Sequence, residues 1–244
     1  MSAPTYPLRL EGQIDPGLNR WLWLLKWLLV IPHVIVLIVL WLVFVVLTFI
    51  AGVMILITAR YPRPLFDFNV GVLRWGWRVS FYSYGALGTD RYPPFTLEDV
   101  PDYPARLTID YPERLSRGLV LVKWWLLVFP QLLIVGILTG APLGGTWDGD
   151  NSWDDGGGAW QSGGGLISLL VLFAAIALLF SGRYPRSLFD LVIGLQRWVQ
   201  RVAVYSALMT DEYPPFRLDQ GGADPGAGQE PPREPRPQPQ AGVG

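Results

Sequence analysis

The chain has 244 residues, of which 51% are hydrophobic and only 16% charged, with a mean hydropathy of +0.31 and a formal net charge of −1. Soluble domains carry about 25% charged residues, so this composition places the chain among membrane proteins and leaves no excess of positive charge for nucleic acid. The lack of any cysteine excludes disulfides, thiol nucleophiles and thiolate metal sites.

In chain order, the first twenty residues are polar and contain proline. The apolar run after them is too long for the h-region of a cleaved signal peptide, so the mature chain is expected to begin at Met1 or Ser2. Leu22–Thr58 is nearly unbroken in its apolar character. As one helix it would be ~55 Å long, against a hydrocarbon core of ~30 Å. The corresponding run of the second half is interrupted by a Gly-, Asp- and Trp-rich insert, residues 140–165, which cannot sit in lipid without leaving backbone groups unsatisfied.

That second half is a copy of the first. Tyr6-Pro7-Leu8-Arg9-Leu10 is echoed by Tyr103-Pro104-Ala105-Arg106-Leu107, Lys26-Trp27 by Lys123-Trp124, and Pro32 by Pro130. From Arg60 to Ser83 against Arg183 to Ser206, 14 of 24 positions are identical. Each copy closes on one phrase, Thr89-Asp90-Arg91-Tyr92-Pro93-Pro94-Phe95 and Thr210-Asp211-Glu212-Tyr213-Pro214-Pro215-Phe216. Duplication accounts for this. It divides the chain into a first repeat (1–100), a second repeat (101–218) and a Pro/Gly-rich tail (219–244) whose composition predicts disorder.

Taking the insert as the tip of a hairpin, the alignment puts the matching turn of the first copy at Leu40–Leu42, beside Trp41. Four spans are then predicted, near 22–40, 42–59, 119–138 and 166–182. A single long kinked helix over the first pair is the alternative, since no turn residue stands near Trp41. With hairpins, all 19 Lys and Arg fall on one face, and the positive-inside rule puts both termini in the cytoplasm.

After each hairpin, residues 65–84 and 188–206 show an apolar stripe at 3–4 spacing beside a polar one, Asp67, Gly71, Arg74 and Arg78, repeated as Asp190, Gly194, Arg197 and Arg201. These read as amphipathic helices in the membrane interface. Arg74, Arg78, Arg197 and Arg201, with Asp67 and Asp190, are candidates for holding anionic lipid headgroups or a partner protein. Alternatively they pair internally, or form a solvated edge. The Tyr-Pro-x-Arg-Leu segments alternate as strands do and predict a small sheet. Lys26 and Lys123, one turn inside their spans, are expected to snorkel to headgroups.

His33 is the only histidine, and Gln131 stands in its place in the second copy. As intramembrane polar groups they are candidate functional positions. A proton relay lacks acidic partners in the spans, so a neutral His33 bonded to a neighbouring helix is the simpler reading. The acidic stretch Asp148–Asp155 resembles a calcium loop but has Trp153 and Ala159 where glycine and glutamate belong. No catalytic, cofactor or metal signature is present, so neither catalytic residues nor cofactors are assigned.

The Lys-Trp-Leu-Leu…Ile-Pro-His entry, Arg60-Tyr61-Pro62-Arg63…Leu65-Phe66-Asp67-Phe68-Asn69-Val70-Gly71…Arg74-Trp75 and Thr89-Asp90-x-Tyr92-Pro93-Pro94-Phe95 together resemble the bacterial membrane family known as domain of unknown function 4389. The likeness runs over both copies, roughly residues 6–218, and the second departs at Gln131, Leu191, Val192 and the insert. It implies a bacterial plasma-membrane protein and no activity. The expected fold is an all-α membrane protein of two tandem hairpins, each with its interfacial helix. The expected function is a non-enzymatic accessory or scaffold whose partner is the lipid bilayer, with a small transporter or lipid-binding protein and a membrane enzyme as alternatives.

Overall fold

The computed structural model describes residues 6–140 and 165–224. Strand β1 (Leu8–Gly12) is followed by helices α1 (Trp23–Thr58) and α2 (Arg63–Tyr82), then strand β2 (Ala105–Ile109). Helix α3 (Arg117–Val122), a π-helical turn (Lys123–Leu127) and α4 (Phe129–Thr139) come next, and α5 (Leu166–Ser181) and α6 (Arg186–Ser206) close the fold.

The first apolar run is one continuous helix of 36 residues that passes through Trp41 and carries Pro32 inside it. No turn forms at Leu40–Leu42. Among the described residues α1 is the only helix long and apolar enough to cross a membrane, since α4 and α5 have 11 and 16 residues. The four spans near 22–40, 42–59, 119–138 and 166–182 are therefore overturned. The multi-pass topology and the shared side of the termini lose their basis with them.

The physical reason lies at the ends of the insert. An added Cβ on Gly165 would stand 2.2 Å from the carbonyl carbon of Thr139 and 2.4 Å from the nitrogen of Gly140, so α5 starts where α4 stops. Residues 141–164, and the calcium-like stretch within them, lie outside the described residues.

The segment α3–α5 runs antiparallel to α1. Its start lies beside the end of α1, where Leu115 N–H donates to Ala59 O (3.0 Å). Its own end, Leu178 and Gly182, shares a cleft with Ile14–Leu18 just ahead of α1. The π turn has a sequence cause. Lys26 and His33 are seven residues apart in α1, whereas Lys123 and Gln131 are eight apart. The wider turn absorbs the extra residue, so both Lys123 and Gln131 stay buried on one side, as Lys26 and His33 do.

Helices α2 and α6 lie over these long elements with their apolar stripes inward. Asn69 Nδ2 donates to Thr48 Oγ1 (3.2 Å) and Trp75 meets His33, which places α2 antiparallel along α1. Above them β1 and β2 pair antiparallel, with Leu10 opposite Leu107, Leu8 opposite Ile109 and Gly12 opposite Ala105. Leu10 and Leu107 are the repeat-equivalent residues, so a local two-fold passes between them. An isolated two-stranded ribbon is marginal in water. Here the side chains of Leu8, Leu10, Ala105 and Leu107 are buried beneath it, and α2 and α6 hold its outer edges.

The two copies end their long helices alike. Ala59 (φ 58°) and Gly182 (φ 67°) both adopt left-handed backbone and donate to the carbonyls of Ile55 and Leu178. Glycine suits that conformation and alanine is strained in it. Ala59→Gly should therefore stabilise the protein by about 0.5–1 kcal/mol in denaturant unfolding, and Gly182→Ala should cost a similar amount.

Candidate functional site

Each copy buries one lysine of its long helix. Lys26 Nζ donates to Thr89 O (2.6 Å) and pairs with Asp90 (2.9 Å); Lys123 Nζ donates to Thr210 O (2.7 Å) and pairs with Asp211 (2.6 Å). The ammonium groups also lie 4.7 Å from the Tyr82 ring and 4.8 Å from the Tyr205 ring. The second oxygens of Asp90 and Asp211 accept the N–H groups of Asn19 (2.5 Å) and Ser116 (2.6 Å), just ahead of α1 and α3. The expected snorkelling does not occur, because the Thr-Asp of each closing phrase folds back to meet its lysine.

The four stripe arginines of the amphipathic helices, Arg74, Arg78, Arg197 and Arg201, point into the protein. Arg74 Nε donates to Leu107 O (3.0 Å) and Arg197 Nε to Leu10 O (2.8 Å), so each helix grips the strand that precedes the other copy's long helix. Arg78 donates to the carbonyls of Glu98 (2.9 Å) and Thr96. Arg197 reaches the carbonyls of Asp219 and Gly222, and Arg201 pairs with the Asp219 carboxylate (2.6 Å). Burial pulls the Arg78 and Arg197 guanidinium groups below the ordinary arginine range. Gly71 makes this approach possible: a Cβ there would lie 2.8 Å from Leu97 Cβ in the loop that Arg78 holds.

Asp67 and Asp190 do not join this cluster. Asp67 is exposed, 3.9 Å from Arg63 on its own helix, and the backbone carbonyl of Asp190 accepts Gly221 N–H (3.3 Å). Residues 219–224, expected to begin a disordered tail, are bound instead: Asp224 accepts Leu10 N–H (3.1 Å) and Gly222 O accepts Gly12 N–H (2.9 Å). The remainder of the tail, 225–244, lies outside the described residues.

His33 and Gln131 occupy one structural role. Trp75 Nε1 donates to His33 Nδ1 (3.2 Å), and Trp198 Nε1 donates to Gln131 Oε1 (2.8 Å). An imidazole that accepts at Nδ1 is neutral, with its hydrogen on Nε2. His33 is stacked on Phe95 at 4.0 Å, which covers it with the first closing phrase. Gln131 completes the parallel by donating to Pro214 O (3.2 Å) in the second.

Open concavities remain. A groove of about 680 Å³ lies between the first half of α1, the end of α2 and α5, lined by Val30, Val34, Val79, Ser83, Ser168 and Val171 among others. Its repeat-equivalent, about 540 Å³, is formed by α4, the end of α6 and the second half of α1, with Leu132, Val202, Ser206, Val45 and Thr48. Both are chiefly apolar. A cleft of different chemistry, about 710 Å³, opens where α1 passes into α2, and Arg60, Arg63, Arg114 and Arg117 line it. Sequence reasoning overlooks this cleft because its arginines come from two segments fifty residues apart. It also misses the lysine–aspartate pairs, although one Lys and one Thr-Asp per copy is a countable signal.

The family described as domain of unknown function (DUF4389) matches residues 20–96 and again 157–217, more than half of the chain. The chain belongs to that family and carries two copies of its domain. The first match takes in α1, α2 and the first Tyr-Pro-Pro-Phe phrase; the second takes in α5, α6 and the second phrase. No curated protein and no solved structure matches.

The lysine pairs make an asymmetric prediction. The Lys26 side chain is 2% exposed and that of Asp90 is 23% exposed, so removing the acid strands a buried ammonium, while removing the base leaves a carboxylate that water reaches. Asp90→Ala should cost about 3 kcal/mol, Lys26→Met less, and the double variant should recover to within about 1 kcal/mol of the parent. Denaturant unfolding in detergent micelles would measure all three.

Proposed function

Starting from a two-copy member of this family, we propose that the protein is a membrane-embedded, non-enzymatic accessory or scaffold. In this reading its paired long helices lie in the plane of one leaflet, and its α2, α6 and ribbon layer faces the aqueous side. The observation that supports this is the pattern of cover on α1. Its buried residues, Lys26, Val30, His33, Leu37, Phe44, Thr48, Ala51 and Ile55, keep to one side of the helix over its whole length. Leu28, Ile35, Leu42, Phe49 and Ile57, on the other side, are 52–68% exposed.

Only 22% of the most apolar stretch of α1 is buried, unlike the core helix of a soluble domain. Were α1 upright in the bilayer, the layer on its covered side would enter the hydrocarbon with it. That layer includes Asp90, Arg78 and Glu98. A charge at the bilayer centre costs ~2.5–3.5 kcal/mol on insertion scales, so several are prohibitive. Lying in the plane, the helix keeps its apolar side in lipid and its charged cover in water, and a length of ~54 Å no longer conflicts with a ~30 Å core.

The buried cations support a structural use of the polar layer, because they are engaged by loop carbonyls and carboxylates of the same chain. A lipid-binding role is favoured by a separate observation, the arginine-lined cleft at the end of α1.

Because the chain has no native cysteine, single nitroxide labels can be placed at Leu28, Ile35, Leu42, Phe49 and Ile57 in reconstituted bilayers. Power-saturation depths should agree within about one helical turn, ~5 Å. A profile deepest at Leu42 and shallower by ~20 Å towards Leu28 and Ile57 would mean that α1 crosses the membrane, and would overturn the in-plane arrangement.

A further inference from the structure

We propose that the cleft lined by Arg60, Arg63, Arg114 and Arg117 binds the phosphate headgroup of an anionic phospholipid, a site that rests on the membrane-embedded reading above. Four arginines and no acidic residue line this space. The cleft is assembled from two parts of the chain and fixed before any ligand arrives. Leu115 N–H donates to Ala59 O (3.0 Å), and the Tyr111 hydroxyl donates to Tyr61 O, tying the segment ahead of α3 to the junction between α1 and α2. The first residue of α2 also lines it, so the positive end of a 20-residue helix faces the same space.

The charge there is available. Among the described residues Arg60, Arg114 and Arg117 make no ion pair, and Arg63 has only the 3.9 Å contact with Asp67, in which both side chains are about two-thirds exposed. The Arg63 guanidinium carbon lies over the Tyr111 ring, 4.4 Å from its centroid, and neighbouring Asp110 is taken by Arg9 at 3.1 Å. Arg74, Arg78, Arg197 and Arg201, by contrast, are engaged by the protein itself. Guanidinium groups converging from two segments suit the bidentate recognition of phosphate oxygens.

The duplication supplies an internal comparison. The equivalent cleft at the end of α5 holds about 260 Å³ and is lined by Arg183, Arg186 and Asp15, with Ile14 in place of Tyr111. Gly17 stands where the first cleft has Arg114. General basicity at a membrane edge would appear at both clefts, and four arginines with no acid in the lining appear at one. Met54 lines the first cleft, and Val53 and Ile57 beside it are exposed, so acyl chains of a lipid held there would run along α1. A free phosphate would find the same arginines without that apolar floor.

The full chain would be placed in phosphatidylcholine nanodiscs containing phosphatidylglycerol, and retained lipid counted by native mass spectrometry. Phosphatidylglycerol should be enriched over phosphatidylcholine, and Arg60→Gln with Arg114→Gln should lower the enrichment at least about tenfold. Arg183→Gln with Arg186→Gln should leave it unchanged. Thr58→Glu, which adds a carboxylate at the cleft, should reproduce the loss, with melting temperature checked for each variant. If inorganic phosphate binds the detergent-solubilised chain through these arginines while phosphatidylglycerol is not enriched, the lipid assignment is overturned in favour of a soluble anion. Equal enrichment in parent and both cleft variants overturns the site. Failure of the parent to float with phosphatidylcholine vesicles overturns the membrane reading instead.

Discussion

Desolvated cations organise this fold. Each copy places a lysine on its long helix and an arginine pair on the helix that covers it, and burial leaves Lys26, Lys123, Arg78, Arg197 and Arg201 almost without solvent. A buried cation without acceptors is far costlier than any local preference of the chain. The segments after α2 and α6 therefore have to fold back over them, bringing Thr89–Asp90 and Thr210–Asp211 to the lysines and the carbonyls of Thr96, Glu98, Asp219 and Gly222 to the arginines. The Tyr-Pro-Pro-Phe phrases fit this need. Proline keeps them extended, which leaves carbonyls such as Pro214 O free to accept from Gln131, and their phenylalanines close over His33 and Trp198.

The same requirement joins the copies. Arg74 takes its acceptor from β2 and Arg197 takes its acceptor from β1, so each amphipathic helix is completed by a strand lying ahead of the other long helix. The first strand thus closes the last unit, and the symmetric ribbon register follows, with Leu10 facing Leu107. Tyr6 and Tyr103 repeat the exchange, directing their hydroxyls to the carbonyls of Glu212 and Arg91. One copy alone would lack both the strand and the tyrosine.

What was legible in the sequence follows from what periodicity records. The duplication, the two amphipathic helices and the strand segments are all patterns along the chain, and they form close to where the residues predict. The hairpins do not form, because an insert shows only that a junction tolerates extra chain. That holds equally for the tip of a turn and for a break between collinear helices, and the second is what the run shows, starting beside Ala59 at the end of α1 and ending beside Ile14–Leu18 ahead of its start. Periodicity likewise placed Arg74 and Arg78 on one stripe without showing that a loop would cover it. The single-residue difference in spacing between Lys26–His33 and Lys123–Gln131 was visible, but it acquires meaning only as a π turn that keeps both pairs facing inward.

Duplication also explains where the copies are free to differ. The carboxylates that satisfy the buried lysines are the same in both copies, Asp90 and Asp211, because losing either strands a lysine. The indole acceptor varies, since imidazole and carboxamide can both take a hydrogen bond from Trp75 or Trp198. The ends of the long helices carry no such obligation. The side chains of Arg60, Arg114 and Arg117 make no ion pair among the described residues, and in the cleft at the end of α5 the first repeat contributes Ile14 and Gly17 at the positions equivalent to Tyr111 and Arg114. Arginines gathered on one surface repel one another, so a cleft lined by four of them and no acid is better explained by a negatively charged group from outside the chain than by stability.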